Sequence, residues 1–372
     1  MKQTTALLLP GLSEEAILRW MVLFLSFLIG GVAGLCAVII AQTLMGFSKK
    51  FGRGDTSRFG GAVIVSFFCL SHLWMVGQVG LITLSVTSQA MIALGLSAYC
   101  YGLFQEMFGR QSLKLAFIIL VVLFSALLPL YPNLILEHTG FAIIDGIFSI
   151  HSIVPFVCTV MILAYSVFAF DTANGANGLV SLLSVFGIVG LIQSGFTNID
   201  GLSSVLSLVA VGCVIFLLFN MTIGRVFIGV GGTYFLGVVL GIAFIGLINF
   251  QRIDPAYVLC LFFYPNANLL FSVVRRILAG RAVFGGDNGH LHNLLYRRLA
   301  GVAWLKNLAN TIAGVLIAFV FAGLPVLLAN IFTDVNWWLI YAVQWLVYSG
   351  CWVMLRDSAT EEKFLRDVDL KS

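Results

Sequence analysis

Charge is what this sequence has least of. Lys, Arg, Asp and Glu make up 10% of its 372 residues, against about 25% in a soluble domain. That scarcity, with 60% hydrophobic residues, excludes a water-soluble globular domain and points to an all-α polytopic membrane protein. The seven cysteines (Cys36, Cys69, Cys100, Cys158, Cys213, Cys260, Cys351) form no CxxC pair and no metal-ligand spacing. A thiolate metal centre is thereby excluded, and they read as small buried hydrophobes. No basic start leads into a small-residue cleavage site, so a removable signal is not expected. No soluble domain, long linker, low-complexity tract or internal repeat interrupts the chain. It reads as one integral membrane domain over 1–372, with a core at 45–300 and a tail at 356–372.

What is present is a series of apolar runs. A spanning helix needs about 20 apolar residues. Eleven runs meet that need: 16–44, 60–77, 81–103, 114–131, 152–170, 178–194, 201–219, 231–249, 256–274, 308–330 and 335–355. An odd count puts the termini on opposite sides. The loops at 45–59, 104–113, 171–177, 220–230 and 275–307, with the tail, then share one face. That face collects all 20 lysines and arginines except Lys2, Arg19 and Arg252. Positive charge is retained on the cytoplasmic side, so the N-terminus is expected outside and the C-terminus in the cytoplasm. On the other face only 132–151 is long, and it reads as a re-entrant or interfacial piece.

The densest charge lies at 275–298, with Arg275, Arg276, Arg281, Arg297, Arg298, Asp287, His290 and His292. A cationic loop in a lipid-like chain needs an anionic partner: a lipid headgroup or a phosphorylated substrate. His290-Leu-His292 alone does not give a zinc site, which requires further ligands. Phosphate chemistry commonly uses Mg²⁺ held by carboxylates. Ahead of the tail, the basic face carries only Asp55, Glu106, Asp171 and Asp287. Glu106 suits either an ion pair with Arg110 at i+4 or a functional role. Asp171 precedes two Asn-Gly steps, and suits either a helix N-cap or a turn that approaches phosphate. Gly229, Gly231 and Gly232 suit a tight helix entry or an anion-binding nest. The tail mixes charge signs, as a solvated helix does.

Five stretches together resemble the polyprenyl-phosphate N-acetylhexosamine-1-phosphate transferases. That superfamily includes the undecaprenyl-phosphate GlcNAc-1-phosphate transferases and the phospho-MurNAc-pentapeptide translocase. Thr56-Ser-Arg58-Phe-Gly60-Gly61 is similar to its Thr-Pro-Arg-x-Gly-Gly. Gly102 to Gly109 is similar to Gly-x-x-Asp-Asp-x-x-Gly, and Asp171 to Leu179 to Asn-x-x-Asp-Gly-x-(Asn/Asp)-Gly-Leu. Phe227 to Gly237 is similar to Phe-x-Gly-Asp-x-Gly-x-x-x-x-Gly. Arg275 to Arg298 is similar to an Arg-rich loop ending in His-x-His-His.

The departures fall on the acids. Gln105-Glu106 replaces Asp-Asp, and Asp171 and Asn174 have exchanged places. Val230 stands where an Asp is expected, Asn293 replaces the last His, and Asn266-Ala-Asn268 replaces a Phe-Asp-Thr-like stretch. The resemblance implies transfer of an N-acetylhexosamine-1-phosphate from a UDP-sugar to undecaprenyl phosphate at the bacterial cytoplasmic membrane. It implies Mg²⁺ on Glu106, Asp171 and Asp287, with Glu106 and Asp171 catalytic. Substrate binding would fall to His290, His292, Arg275, Arg276, Arg281, Asn174, Asn177, Arg58 and Lys50. No nucleic acid is implied, and a homodimer is left open. The lost acids favour an alternative, a relative that binds lipid phosphate or nucleotide-sugar without transfer. A transporter unrelated to the family is the third reading, and no repeat supports it.

Overall fold

The computed structural model describes residues 60–74, 86–109, 111–194, 202–223, 226–249, 253–283 and 289–356. Among these residues the regular structure is helical. The elements are α1 (Gly61–Trp74), α2 (Val86–Phe108), α3 (Leu113–Leu127), α4 (Ala142–Phe148), α5 (Ile153–Thr172), α6 (Leu179–Gln193) and α7 (Leu202–Ile223). They continue with α8 (Gly229–Asn249), α9 (Pro255–Leu261), α10 (Phe263–Leu278), α11 (Leu291–Ala300), α12 (Ala309–Ala318), α13 (Leu324–Ile331) and α14 (Trp337–Leu355). From 60–77 onward, every expected apolar run carries helix in its described residues. The run at 16–44 lies outside the described residues, as do Lys50, Arg58, Asp287 and the tail beyond Arg356.

Among the described residues, five helical stretches are long and apolar enough to cross a membrane, and α9 with α10 would make a sixth. Shorter apolar helices lie at Gly61–His72, Leu179–Gln193 and Val205–Met221. Two of the expected spans are broken, each beside a proline. Between α9 and α10 the axis bends by 78°. Pro265 has no N–H for the Leu261 carbonyl, and its ring crowds that group. Between α12 and α13 a π-turn spans Phe319–Gly323, two residues ahead of Pro325. The wider turn accommodates a missing hydrogen bond without ending the helix.

The helix at the centre is α8, with 94% of its most apolar window buried inside the protein. It has no polar stripe because helices surround it. Backbones meet there through glycine. A Cβ on Gly102 of α2 would stand 2.6 Å from the Gly231 Cα, and Gly61 of α1 abuts Gly232 in the same turn. Small residues at such crossings let helices approach to backbone contact. The glycines of 229–232 therefore mark where α1 and α2 cross the first turn of α8. By contrast, α14 has 17% of its window buried, and Leu346, Val353 and Met354 face outward. Such surface suits lipid. Not every cysteine is buried as expected: Cys213 and Cys260 are, whereas Cys100 is exposed. Cys36 lies outside the described residues.

The segment after α3 resolves into two 3₁₀ turns, an extended stretch and α4. Leu136 N–H donates to Thr159 Oγ1 at 2.8 Å, and Glu137 N–H donates to Asn249 Oδ1 at 2.9 Å. These bonds fix the stretch to α5 and to the end of α8. Beyond it, Ile143 is 82% and Ile150 76% exposed, while Phe141 packs on Trp338 at 5.9 Å. The Asp145 carboxylate is held by Thr139, whose backbone N–H and hydroxyl both donate to Oδ1 at 2.7 Å. Those donors hold its carboxyl below the usual carboxylate range. With its acid satisfied internally, α4 presents isoleucine outward beside an interfacial Trp, as a membrane-surface helix does. We expect the fluorescence of Ile143→Trp in vesicles to be quenched by brominated lipid and protected from acrylamide. The opposite pattern would place α4 in water.

Candidate functional site

The site is built on the first turn of α8. Gln105 and Glu106 occupy the last turn of α2 and are both buried against it. Glu106 Oε1 accepts the Val230 N–H at 2.8 Å, and Gln105 Nε2 donates to the Tyr234 hydroxyl at 3.3 Å. The opening turn of a helix has unpaired N–H groups and a partial positive charge. Here the anion that meets it is the chain's own Glu106. From the other side, Asp171 in the last turn of α5 accepts from Thr233 Oγ1 at 3.2 Å. Thr233 also reaches the Val230 carbonyl at 3.0 Å. Val230 and Thr233 are one helical turn apart, so the two carboxylates meet the same end of α8.

Asp171 does not cap α6. That position belongs to Gly178, whose φ of 75° is left-handed and whose N–H donates to Asn220 Oδ1 at 2.6 Å. Residues 173–178 form the expected tight turn. Asn174 N–H donates to the Asp171 carbonyl at 3.1 Å, and its residue lines a small cavity with Ala176, Gly178, Asn220 and Phe227. The Asn177 amide faces α12, where Asn310 Nδ2 donates to its Oδ1 at 3.1 Å. Its placement ties the turn to α12.

His290 caps α11 in extended conformation and His292 lies in its first turn. The helix start lets the rings stack, with centroids 5.4 Å apart and 15° between planes. An ideal helix would turn residues two apart to nearly opposite sides, and the extended backbone at His290 avoids this. A Cβ on Gly175 would overlap His292 Nε2, so the turn after α5 lies directly against the imidazole. Asn268 of α10 joins the two halves of the site. Its Nδ2 donates to the Thr172 carbonyl at 3.0 Å, and its Oδ1 meets His290 Nδ1 at 3.1 Å. Tyr348 of α14 also donates to that oxygen, at 3.2 Å. Glu106, Asp171, the Asn-Gly turn, His290 and His292 thus form one contiguous assembly.

The arginines stand at its edge. Arg275 lies over the Trp352 ring at 5.5 Å and packs against Gly289, and Arg356 lies over the same ring at 5.1 Å. Arg276 Nη1 donates to the Ala282 carbonyl at 2.5 Å, closing the turn after α10. Arg281 is exposed. Their described contacts are with Trp352, Gly289 and Ala282. Thr233, Asn268, Tyr264 and Tyr348 are the residues that sequence reasoning missed. Only Asn268 carried a signal there, as an amide in a stretch where the resemblance has an acid.

Mg²⁺ usually keeps several waters and takes one or two carboxylates along with substrate phosphates. Glu106 and Asp171 supply two hard oxygen donors at one end of α8, and this donor set fits that use. Among the described residues no group of three or more His, Cys, Asp or Glu side chains could hold a metal. Val230, 1% exposed, adds nothing where the resemblance has an acid. Comparison with curated proteins finds none that matches the chain. The stretch from α2 to α8, with the Gln105-Glu106, Asp171–Leu179 and Phe227–Gly237 motifs on it, matches Glycosyl transferase family 4 over residues 89–248, which points to a membrane sugar-phosphate transferase.

Proposed function

We propose that the protein transfers an N-acetylhexosamine-1-phosphate from a UDP-sugar to undecaprenyl phosphate in the bacterial cytoplasmic membrane. An oxygen of the lipid phosphate attacks the sugar-bearing phosphorus of the UDP-sugar. The pyrophosphate bond breaks and UMP leaves. The chain crosses the bilayer eleven times in this reading, and the site opens to the cytoplasm, where the basic loops gather. The observation that carries the proposal is the convergence of Glu106, Asp171, the 173–178 turn and the His290–His292 pair at the start of α8, inside the matched region and next to it.

Each side chain has a part in this proposal. Glu106 and Asp171 would hold Mg²⁺, which supplies charge neutralisation for the phosphates when bound. Asp287 would join them. His292 lies against the Asn-Gly turn, where it can donate to a phosphate oxygen. Asn174 faces the adjoining cavity. Arg275, Arg276 and Arg281 draw the anionic substrate toward the loop, and Arg58 and Lys50 meet the lipid phosphate at the membrane surface.

A second reading is binding without transfer, as a partner or regulator in polysaccharide assembly. Val230 and the bond from its N–H to Glu106 favour it, because this carboxylate already serves as the counter-charge of α8. One assay separates the two. The purified full-length protein is incubated with undecaprenyl phosphate, Mg²⁺ and a panel of UDP-sugars, and UMP is followed. Transfer predicts UMP release with at least one UDP-N-acetylhexosamine. Retained UDP-sugar binding with no UMP across the panel selects the second reading.

A further inference from the structure

We infer that the stacked imidazoles carry opposite tautomers, with His290 protonated at Nδ1 and His292 at Nε2, and that Asn268 and Tyr264 set them. The argument begins at the Thr172 carbonyl, which can only accept a hydrogen bond. The Asn268 group facing it at 3.0 Å must therefore be the amide nitrogen. That fixes the orientation of the amide and points Oδ1 at His290 Nδ1, 3.1 Å away. Oδ1 accepts only, so His290 Nδ1 must carry the proton. The Tyr348 hydroxyl donates to the same oxygen at 3.2 Å and fills its second lone pair.

His292 is settled by Tyr264, which is fully buried. Its oxygen accepts the His292 backbone N–H at 3.2 Å. Its own hydrogen needs an acceptor, because a buried hydroxyl left unpaired is costly. Among the described residues that acceptor is His292 Nδ1, at 2.8 Å. A neutral imidazole that accepts at Nδ1 carries its hydrogen on Nε2. Aromatic packing holds the two hydroxyls in place: Tyr264 and Tyr348 lie 6.1 Å apart, and both contact Phe321.

In the neutral pair His292 thus carries its hydrogen on Nε2, against Gly175, and His290 carries its lone pair there. Asn268 and Tyr264 are positioning residues. Resting on the function proposed above, this divides the labour between two residues that look alike in sequence. His292 suits an anionic phosphate oxygen in its neutral form. His290 suits a protonated group of the same ligand, and would donate at Nε2 only as the cation.

The test is nitrogen NMR on full-length protein labelled with ¹⁵N only in histidine, at pH 9, well above the ordinary imidazole pKa of about 6.5. His290→Gln and His292→Gln assign the signals. His290 should show a pyrrole-type Nδ1 and a pyridine-type Nε2, and His292 the reverse. Asn268→Leu should remove the His290 pattern and leave that of His292. Tyr264→Phe should release only His292. A His290 protonated at Nε2, or a His292 protonated at Nδ1, overturns the inference. Should the variants fail to fold, the parent spectrum decides: with no Nδ1-protonated imidazole among the five histidines, the inference falls. Added UDP should shift the His292 Nε2 signal. Unshifted signals with both tautomers in place would remove the nucleotide-sugar reading and leave the tautomer pair standing.

Discussion

Glu106→Gln is expected to leave the protein folded and to lower UMP release by at least about 100-fold, the scale on which removal of a charge-stabilising group acts. The glutamine carbonyl can still accept the Val230 N–H that Glu106 holds at 2.8 Å, so the start of α8 keeps its partner. What disappears is the negative charge. Its loss at a helix N-terminus costs about 0.3–1 kcal/mol, which is small beside the expected effect on turnover. Asp171→Asn should behave alike, since its amide can still accept from Thr233 Oγ1. Glu106→Ala makes the contrast. It leaves a buried backbone N–H without its acceptor and should lower the melting temperature as well. The measurements are UMP release at saturating UDP-sugar and the melting temperature of each purified variant. Full activity in both isosteric variants would remove Glu106 and Asp171 from the chemistry and leave them as supports of α8.

The second large effect is structural. Gly102→Val should prevent recovery of monodisperse protein in detergent. A Cβ on Gly102 would stand 2.6 Å from the Gly231 Cα and 2.8 Å from its nitrogen. These are backbone atoms, so no rotamer change can relieve the overlap. Overpacking a closed interior costs about 1–3 kcal/mol and more where backbone must move. Here the separation of α2 from α8 would also pull Glu106 off Val230. Gly246→Ala in α8 is the control, because nothing lies within 4 Å of the added methyl, and alanine is the better helix former. Fluorescence-detected size exclusion and thermal melting compare the two. A Gly102→Val protein as stable as the parent would mean that α2 and α8 do not cross at these glycines.

Much of the architecture is legible in the residues one at a time. Runs of apolar residues longer than a bilayer is thick leave no alternative to helices, because an unpaired peptide group in hydrocarbon is prohibitive. The breaks were less legible. Pro265 and Pro325 sit inside runs that read as continuous, and each can either kink a helix or be absorbed by a π-turn. The bent junction of α9 and α10 and the π-turn at Phe319–Gly323 show both outcomes. Neighbouring helices decide between them.

The sequence by itself determined which groups are scarce and where they fall along the chain. It singled out Glu106, Asp171, the Asn-Gly turn, and His290 with His292, because a polar residue in so apolar a chain is visible without any neighbour. Tertiary structure alone decided what those groups face. Glu106 and Val230 are 124 residues apart in the chain, and no periodicity couples them. Asn268 draws its meaning from Thr172, His290 and Tyr348, which come from three other elements. A hydrogen bond depends on distance and angle between particular atoms. Helix propensity and hydropathy are properties of short windows and carry no such information. The same separation explains the glycines at 229–232: in sequence they suit a tight helix entry or an anion-binding nest, and only the crossing of α1 and α2 over α8 gives them their use.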